Sequence, residues 1–308
     1  MRPPPPQTMH DPIEAEPYRM AMGLTVIADH DWFEIDALYP AELAEKHRLL
    51  RDRHDDVFAA LPVSAAARDE TLAMIANHLT SVHPDWFSRF GTTLRNHLTS
   101  ETFHTDDPAH DPLELASRLV QEDLCLIQNS PAGPIFTAGS LCFPSRWRLR
   151  EKIGRPLAEV HAPVPLYADR LANPVDRFMR HLRPGRIVTR LNWSILDDPA
   201  LFQPGGKWRS ECNPTITTAN AGDTLFVRVE RQTLRLLPLS GAILFGIRVH
   251  VYPLHRFARD AATSRRLAAA VRALPPPIAR YKSLPAFQTA LLAWLDHQAS
   301  TEPMGAPK

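Results

Sequence analysis

Apolar residues in the first third of the chain recur at helical spacing. Leu43, Leu50 and Val57 lie near a 3.6-residue period, and Leu72 and Leu79 extend the same pattern. The pattern predicts helices over 41–61, over 66–79, after Pro84 with Trp86, Phe87 and Phe90, and over 111–120. Before them, proline-rich residues 1–20 predict an irregular arm.

Strand-like alternation replaces this pattern near residue 121. Arg190 and Asn192 alternate with Leu191 and Trp193, which is typical of a half-buried strand. Strands are predicted over 122–128, 135–143, 187–195, 225–237 and 242–252. A helical insert, 148–182, separates the second strand from the third. The turn residues 238–241 join the last two strands and favour antiparallel pairing.

These elements predict an α+β fold: a PAS-like antiparallel sheet with a helical insert, flanked by N-terminal and C-terminal helices. A PAS domain has this order of strands and helices, although many α+β folds share it. We expect three segments: an N-terminal arm and helical region (1–117), a PAS-like core (118–256) and a C-terminal helical extension (257–308).

The chain is nearly neutral, with 308 residues and a formal net charge of +1. No overall field would concentrate it on nucleic acid or on an anionic membrane. Its three cysteines form no CxxC pair, which argues against an iron–sulfur cluster or structural zinc within the chain. The sparse cysteines, and the lack of an apolar signal segment, favour a cytoplasmic protein.

His161 is a candidate metal ligand. The segment Pro156–Val160 predicts a short helix that Pro163 ends, so the imidazole would point in a fixed direction. Directional bonding to a metal needs such fixation. Alternatively, His161 contacts the last carbonyl groups of the helix.

Polar residues on a strand expected inside the protein form a second candidate site. Period two places Arg228, Glu230 and Gln232 on one face and Arg231 and Thr233 on the other. A carboxylate there could hold an ammonium group or act as a base, and arginines could hold carboxylates. A cross-strand ladder of ion pairs on a solvated face is the alternative.

Several ordered motifs resemble one protein family. They are Leu141–Trp147, Glu151–Leu157, Val160–Pro165, Arg190–Trp193 and Arg228–Pro238, with Met20–Leu24 and Val120–Leu124 upstream. The chain is similar to the alpha subunit-like family of heme-dependent oxidative N-demethylases over roughly residues 17–297. The resemblance implies a PAS-like domain with heme b. It also implies O2-dependent removal of a methyl group from a small secondary amine, with release of formaldehyde.

The resemblance also implies roles for residues and partners. His161 would ligate the iron, with Cys142 and His181 as competing candidates. Heme contacts are expected from Lys152, Arg190, Trp193 and Arg231, in a slot formed by Ile187, Leu191, Trp193, Phe245 and Ile247. Catalytic roles are expected for Glu230, Arg228 and Gln232. Electrons would come from external proteins that carry flavin and iron–sulfur centres.

Two other functions stay open. PAS folds commonly serve as heme sensors or gas-binding modules without turnover. A PAS-like protein that has lost heme could instead bind a partner protein.

Overall fold

The computed structural model describes residues 2–13, 18–131, 133–206 and 208–300. Its strands, in chain order β1 to β10, are Thr25–Ile27, Phe58–Ala60, Phe87–Phe90, Thr93–Asn96, Glu101–His104, Asp123–Ser130, Gly133–Ser140, Ile187–Leu196, Phe226–Leu236 and Ile243–Pro253. The α-helices, α1 to α12, are Tyr39–Asp52, His54–Val57, Ala65–Val82, Pro112–Ser117, Leu157–Val160, Tyr167–Arg170, Ala172–His181, Ala221–Thr224, Leu254–Phe257, Ala261–Ala273, Pro276–Tyr281 and Gln288–Ser300. The predicted α+β fold is confirmed.

A seven-stranded sheet forms the centre of the molecule, in the order β1-β8-β9-β10-β6-β7-β2. Every neighbouring pair is antiparallel. The five predicted strands are β6 to β10, and α5, α6 and α7 form the insert between β7 and β8. The N-terminal region also contributes the edge strands β1 and β2, so the sheet extends beyond the predicted core.

The two faces of this sheet pack against different helices. On one face, here called the cavity face, Leu234 and Ile243 pack against Leu157 and Met179 of the insert. The opposite face, here called the helix face, carries two apolar clusters. Leu126 and Leu244 pack there with the N-terminal helices, and Val227 and Val229 pack with the C-terminal helices.

Two of the predicted helices are wrong in whole or in part. The segment after Pro84 is a strand, Phe87–Phe90, paired with Thr93–Asn96 in a three-stranded sheet. Phe87 is buried while Phe90 is 91% exposed, so the aromatic residues do not share a helical face. Gly91, with φ +58°, provides the left-handed residue for the turn between these strands.

The predicted helix over 41–61 ends early. Helix α1 stops at Asp52, and Arg53 leaves the helical region with φ −137° and ψ 34°. Phe58–Ala60 then pairs with Ala138–Ser140 as an edge strand, because these apolar residues complete the sheet. The helices over 66–79 and 111–120 are confirmed as α3 and α4. Among the described residues, no helix is both long enough and apolar enough to cross a bilayer.

Candidate functional site

A large cavity of about 1110 Å³ lies between the cavity face of the sheet and the helical insert. Apolar side chains form much of its wall. The sheet contributes Cys125, Ile127, Phe136, Phe245 and Ile247, and the insert contributes Leu157, Val160, Val164, Leu171 and Met179. A cavity of this size and lining suits a large planar apolar ligand.

Only some of the residues expected to form the apolar slot line the cavity. Phe245 and Ile247 line the cavity. Ile187 lies on the helix face, buried among the N-terminal helices, so its expected place in the slot is wrong. Leu191 and Trp193 also belong to the helix face, pack against the C-terminal cluster and border the cavity at the edge of β8. The odd-numbered residues of β8 lie on the helix face because they pair with odd-numbered residues of β9, such as Val229, that lie on this face.

His161 borders the cavity directly after helix α5. Its Nδ1 lies 2.8 Å from the carbonyl oxygen of Leu157, and its ring stacks on Tyr167 at a centroid distance of 4.5 Å. A carbonyl oxygen can only accept, so Nδ1 donates in this contact, and Nε2 is the nitrogen that would bind a metal. The helix-end contact predicted as an alternative is therefore present, and it also orients the imidazole as a metal ligand requires.

Neither competing metal ligand borders the cavity. Cys142 is completely buried, and burial raises the pKa of its thiol far above the usual range. His181 is exposed at the end of α7, with its Nδ1 2.7 Å from the Arg177 carbonyl oxygen. The structure therefore favours His161 over both.

Glu230 lies in the centre of a polar group on the cavity face. The amide of Gln232 donates to Glu230 Oε2 at 3.0 Å, and that of Asn192 donates at 3.3 Å. Arg228 Nε lies 3.8 Å from Glu230 Oε1. The Glu230 side chain is 13% exposed and lines the cavity together with Gln232. The residues predicted to share a face therefore do come together.

Arg228 lies behind this group rather than in the cavity wall. Its side chain is 1% exposed, and it donates to the carbonyl oxygens of Phe143 and Leu201 at 2.5 Å and 3.3 Å. Burial lowers its pKa, partly offset by the charge of Glu230. Arg228 thus contacts two backbone carbonyl groups and the Glu230 carboxylate, and the catalytic role expected for it stays a prediction.

Arg190 is one of several cationic residues in the cavity wall. Burial lowers its pKa, although Glu230 nearby favours its charged form. Within the described residues its Nε has no hydrogen-bond partner. A buried guanidinium with an unused donor fits a carboxylate ligand such as a heme propionate.

The other three expected cofactor contacts have different surroundings. The Lys152 ammonium donates to the Val160 carbonyl oxygen and lies 5.4 Å from the Trp147 ring centroid, so it holds the end of α5 next to His161. Trp193 accepts a hydrogen bond at its backbone carbonyl. Arg231 borders the cavity, but its guanidinium donates to Asp31 and Trp32 carbonyl oxygens and pairs with Glu34 at 3.3 Å.

Sequence reasoning missed Tyr281 and Lys282, which follow the proline run at 275–277. Both line the cavity, and the Lys282 ammonium donates to the Trp193 carbonyl oxygen. Burial lowers the pKa of Lys282 to about 8, while Glu230 opposes and Arg190 reinforces the shift. Burial raises the pKa of Tyr281 to about 12. No local motif marks these residues, because only the packing of α11 brings them to Glu230.

The residues present fit heme. The apolar wall can enclose a porphyrin, His161 offers a ligand nitrogen, and Arg190 offers an unused donor for a propionate. A family model described as "Haem-dependent oxidative N-demethylase, alpha subunit-like" matches residues 23–292. The chain therefore belongs to the haem-dependent oxidative N-demethylase alpha subunit-like family.

Proposed function

We propose that this protein is a heme-dependent oxidoreductase that removes a methyl group from a small secondary amine with O2 and releases formaldehyde. One observation supports it most: the same cavity is lined by the His161 imidazole and by the Glu230 carboxylate. The first can hold an iron, and the second can hold an amine.

The cofactor in this proposal is heme b, held without a covalent link. The sequence has no CxxCH attachment motif. His161 would ligate the iron through Nε2, because its Nδ1 is engaged with the Leu157 carbonyl oxygen at 2.8 Å. Arg190 would pair with a propionate. Bound heme would supply the chemistry that oxidises the methyl carbon with O2.

Glu230 would bind the amine as its ammonium ion. The Asn192 and Gln232 amides both donate to Glu230 Oε2, whereas Oε1 has Arg228 Nε at 3.8 Å, beyond hydrogen-bond distance, so Oε1 is the oxygen that would contact a substrate. Oxidation next to nitrogen requires the nitrogen lone pair, so a carboxylate that accepts the ammonium proton prepares the substrate. Gln232 and Asn192 would position this carboxylate.

The electrons would come from outside the chain. Conversion of dimethylamine and O2 to methylamine, formaldehyde and water consumes two electrons and two protons. No nucleotide-binding motif or CxxC pair occurs in the sequence to supply them. We propose external donor proteins that carry flavin and iron–sulfur centres. The succession of β6, β7, insert and β8 to β10 supports the further proposal of a PAS-like unit.

The test is formaldehyde release by the heme-loaded full chain, with dimethylamine, O2 and a chemical reductant. We expect formaldehyde and methylamine in equal amounts, and none without reductant, because each turnover consumes two external electrons. Heme binding and O2 binding without formaldehyde would contradict the proposal and indicate a gas-binding protein. A protein that takes up no heme would contradict it as well.

The variant Glu230→Gln tests the amine site. Gln keeps the size of the side chain but removes its charge, so turnover should fall by about tenfold or more. Heme content and melting temperature should stay near those of the wild type, because Arg228 keeps its two carbonyl acceptors. Exposed Glu159→Gln, on the insert, is the matched control. A lower melting temperature with unchanged turnover would assign Glu230 to the scaffold.

A further inference from the structure

A cluster of metal-ligating side chains lies on the helix face of the sheet, away from Glu230. His10 comes from the N-terminal arm, Glu34 from the segment before α1, and His250 from β10. One ligand atom from each lies within 4.8 Å of the others. Two imidazoles and one carboxylate are a ligand set that transition-metal ions prefer.

The distances suit a single ion. The Glu34 carboxylate lies close to both histidines: its Oε2 is 2.9 Å from His250 Nε2, and His10 Nε2 is 2.9 Å from Oε1 and 3.2 Å from Oε2. Metal–ligand bonds of about 2.0–2.1 Å place neighbouring ligand atoms roughly 3 Å apart, so small side-chain movements would complete the site. With three protein ligands, at least one position would remain for water.

The surroundings orient the carboxylate and one imidazole. Arg231 Nε lies 3.3 Å from Glu34 Oε1 and helps to hold the carboxylate between the two histidines, with Oε2 2.9 Å from His250 Nε2. Gln7 Nε2 lies 3.4 Å from His250 Nδ1, and a rotated amide would accept the proton of that nitrogen when Nε2 binds a metal. Ligand imidazoles commonly have such a partner on the second nitrogen.

The arm that carries His10 is held in place by other contacts. The Tyr252 hydroxyl donates to the Thr8 carbonyl oxygen at 2.7 Å, and the Ala37 amide donates to the Pro5 carbonyl oxygen at 2.8 Å. His10 is thus already positioned without an ion. It also precedes residues 23–292, which match the family model.

We propose that His10, Glu34 and His250 bind one divalent transition-metal ion of the zinc class, which fastens the N-terminal arm to the sheet. The ion would replace two hydrogen bonds to Glu34 with three coordinate bonds. Its role would be structural, because His250 lies on the opposite face of the sheet from Glu230 and Gln232, and only His10 of the three ligands borders the cavity.

The test is Zn²⁺ binding to the tag-free, chelator-treated full chain, by competition with a fluorescent chelator and by metal analysis after gel filtration. We expect one Zn²⁺ per chain. His10→Ala and His10→Gln should each weaken binding at least tenfold, since a ligand is lost from a three-residue set. Zn²⁺ should also slow proteolysis of the arm in the wild type but not in these variants.

His297→Ala, an exposed histidine on α12, is the matched control and should bind Zn²⁺ as the wild type does. The proposal is overturned if the wild type binds no Zn²⁺ at micromolar concentrations. It is also overturned if either His10 variant binds as tightly as the wild type, or if the control weakens equally. The cluster would then be a carboxylate held by two imidazoles and Arg231.

Discussion

At the scale of single residues, period two along β8 and β9 predicts most of the polar site. Glu230, Gln232 and Arg190 lie on the cavity face as that period requires. Periodicity shows which face of the sheet a residue occupies but not how deeply its side chain is buried. It therefore did not separate buried Arg228 from cavity-lining Glu230. Lys282 was missed because it reaches Glu230 only through tertiary packing.

The free energy of unfolding should depend on pH through the buried ammonium group of Lys282. Its pKa falls from 10.5 to about 8 in the folded chain, because burial disfavours the ammonium. Below pH 8 both states hold the proton and the full penalty of burying the charge applies. Between about 8 and 10.5 only the unfolded chain holds it, so the Lys282 contribution to the free energy of unfolding rises with pH.

Lys282→Met should therefore flatten the rise in the free energy of unfolding between pH 8 and 10. The measurement is urea denaturation across this range, and the difference from the wild type isolates Lys282 from the other groups that titrate there. Arg280→Met, an exposed neighbour on α11, is the control. If the free energy of unfolding rises equally with pH in the wild type and in Lys282→Met, Lys282 titrates as an ordinary exposed lysine.

At the scale of elements, the strands β6 to β10 were predicted from different patterns. Residues alternate between two faces along β8 and β10, whereas β6 and β7 are short, mostly apolar runs on either side of turn residues, and β9 is a long strand with charged residues on both faces. The short strands β2 and β3 were assigned to helices, because three or four residues carry too little periodicity. Strand β2 pairs with β7, which is distant in the sequence, and β3 pairs with β4 across the turn at Gly91.

The packing of α8 against α12 depends on Gly222. A Cβ atom at this position would lie 2.8 Å from the Trp294 indole, well inside contact distance. Gly222→Ala should therefore lower the free energy of unfolding by about 1–3 kcal/mol, as overpacking does in well-packed cores. Urea denaturation would measure it. Gly205→Ala, where nothing lies within 4 Å of the added Cβ, is the control, and equal stability of the two variants would contradict this account.

At the scale of the whole molecule, the central sheet is the structure that the other segments share. N-terminal helices and C-terminal helices pack on its helix face, and the insert packs on its cavity face. The division of the chain into an N-terminal region (1–117), a PAS-like core (118–256) and a C-terminal extension (257–308) remains a prediction. Since β1 and β2 belong to the same sheet as β6 to β10, we propose that these segments fold together.

Arg248 is a buried link between the N-terminal region and the sheet. Its guanidinium is 0% exposed and pairs with Asp36 at 2.8 Å and Glu42 at 2.7 Å. Arg248→Met would leave two buried carboxylates without their cation, so the free energy of unfolding should fall by about 3–5 kcal/mol. Thermal and urea denaturation would measure the loss, with exposed Arg256→Met as the control. A loss no larger than that of the control would show that the link is not required.

The central claim is that the cavity holds heme with His161 as its ligand, and an absorption spectrum tests it most directly. The full chain, expressed with a heme precursor, should purify with a Soret band, and acid–organic extraction should release the porphyrin. His161→Ala should lose heme or change its spin state while the fold survives, whereas exposed His181→Ala should match the wild type. A colourless wild type, or a His161→Ala spectrum identical to that of the wild type, would contradict the claim.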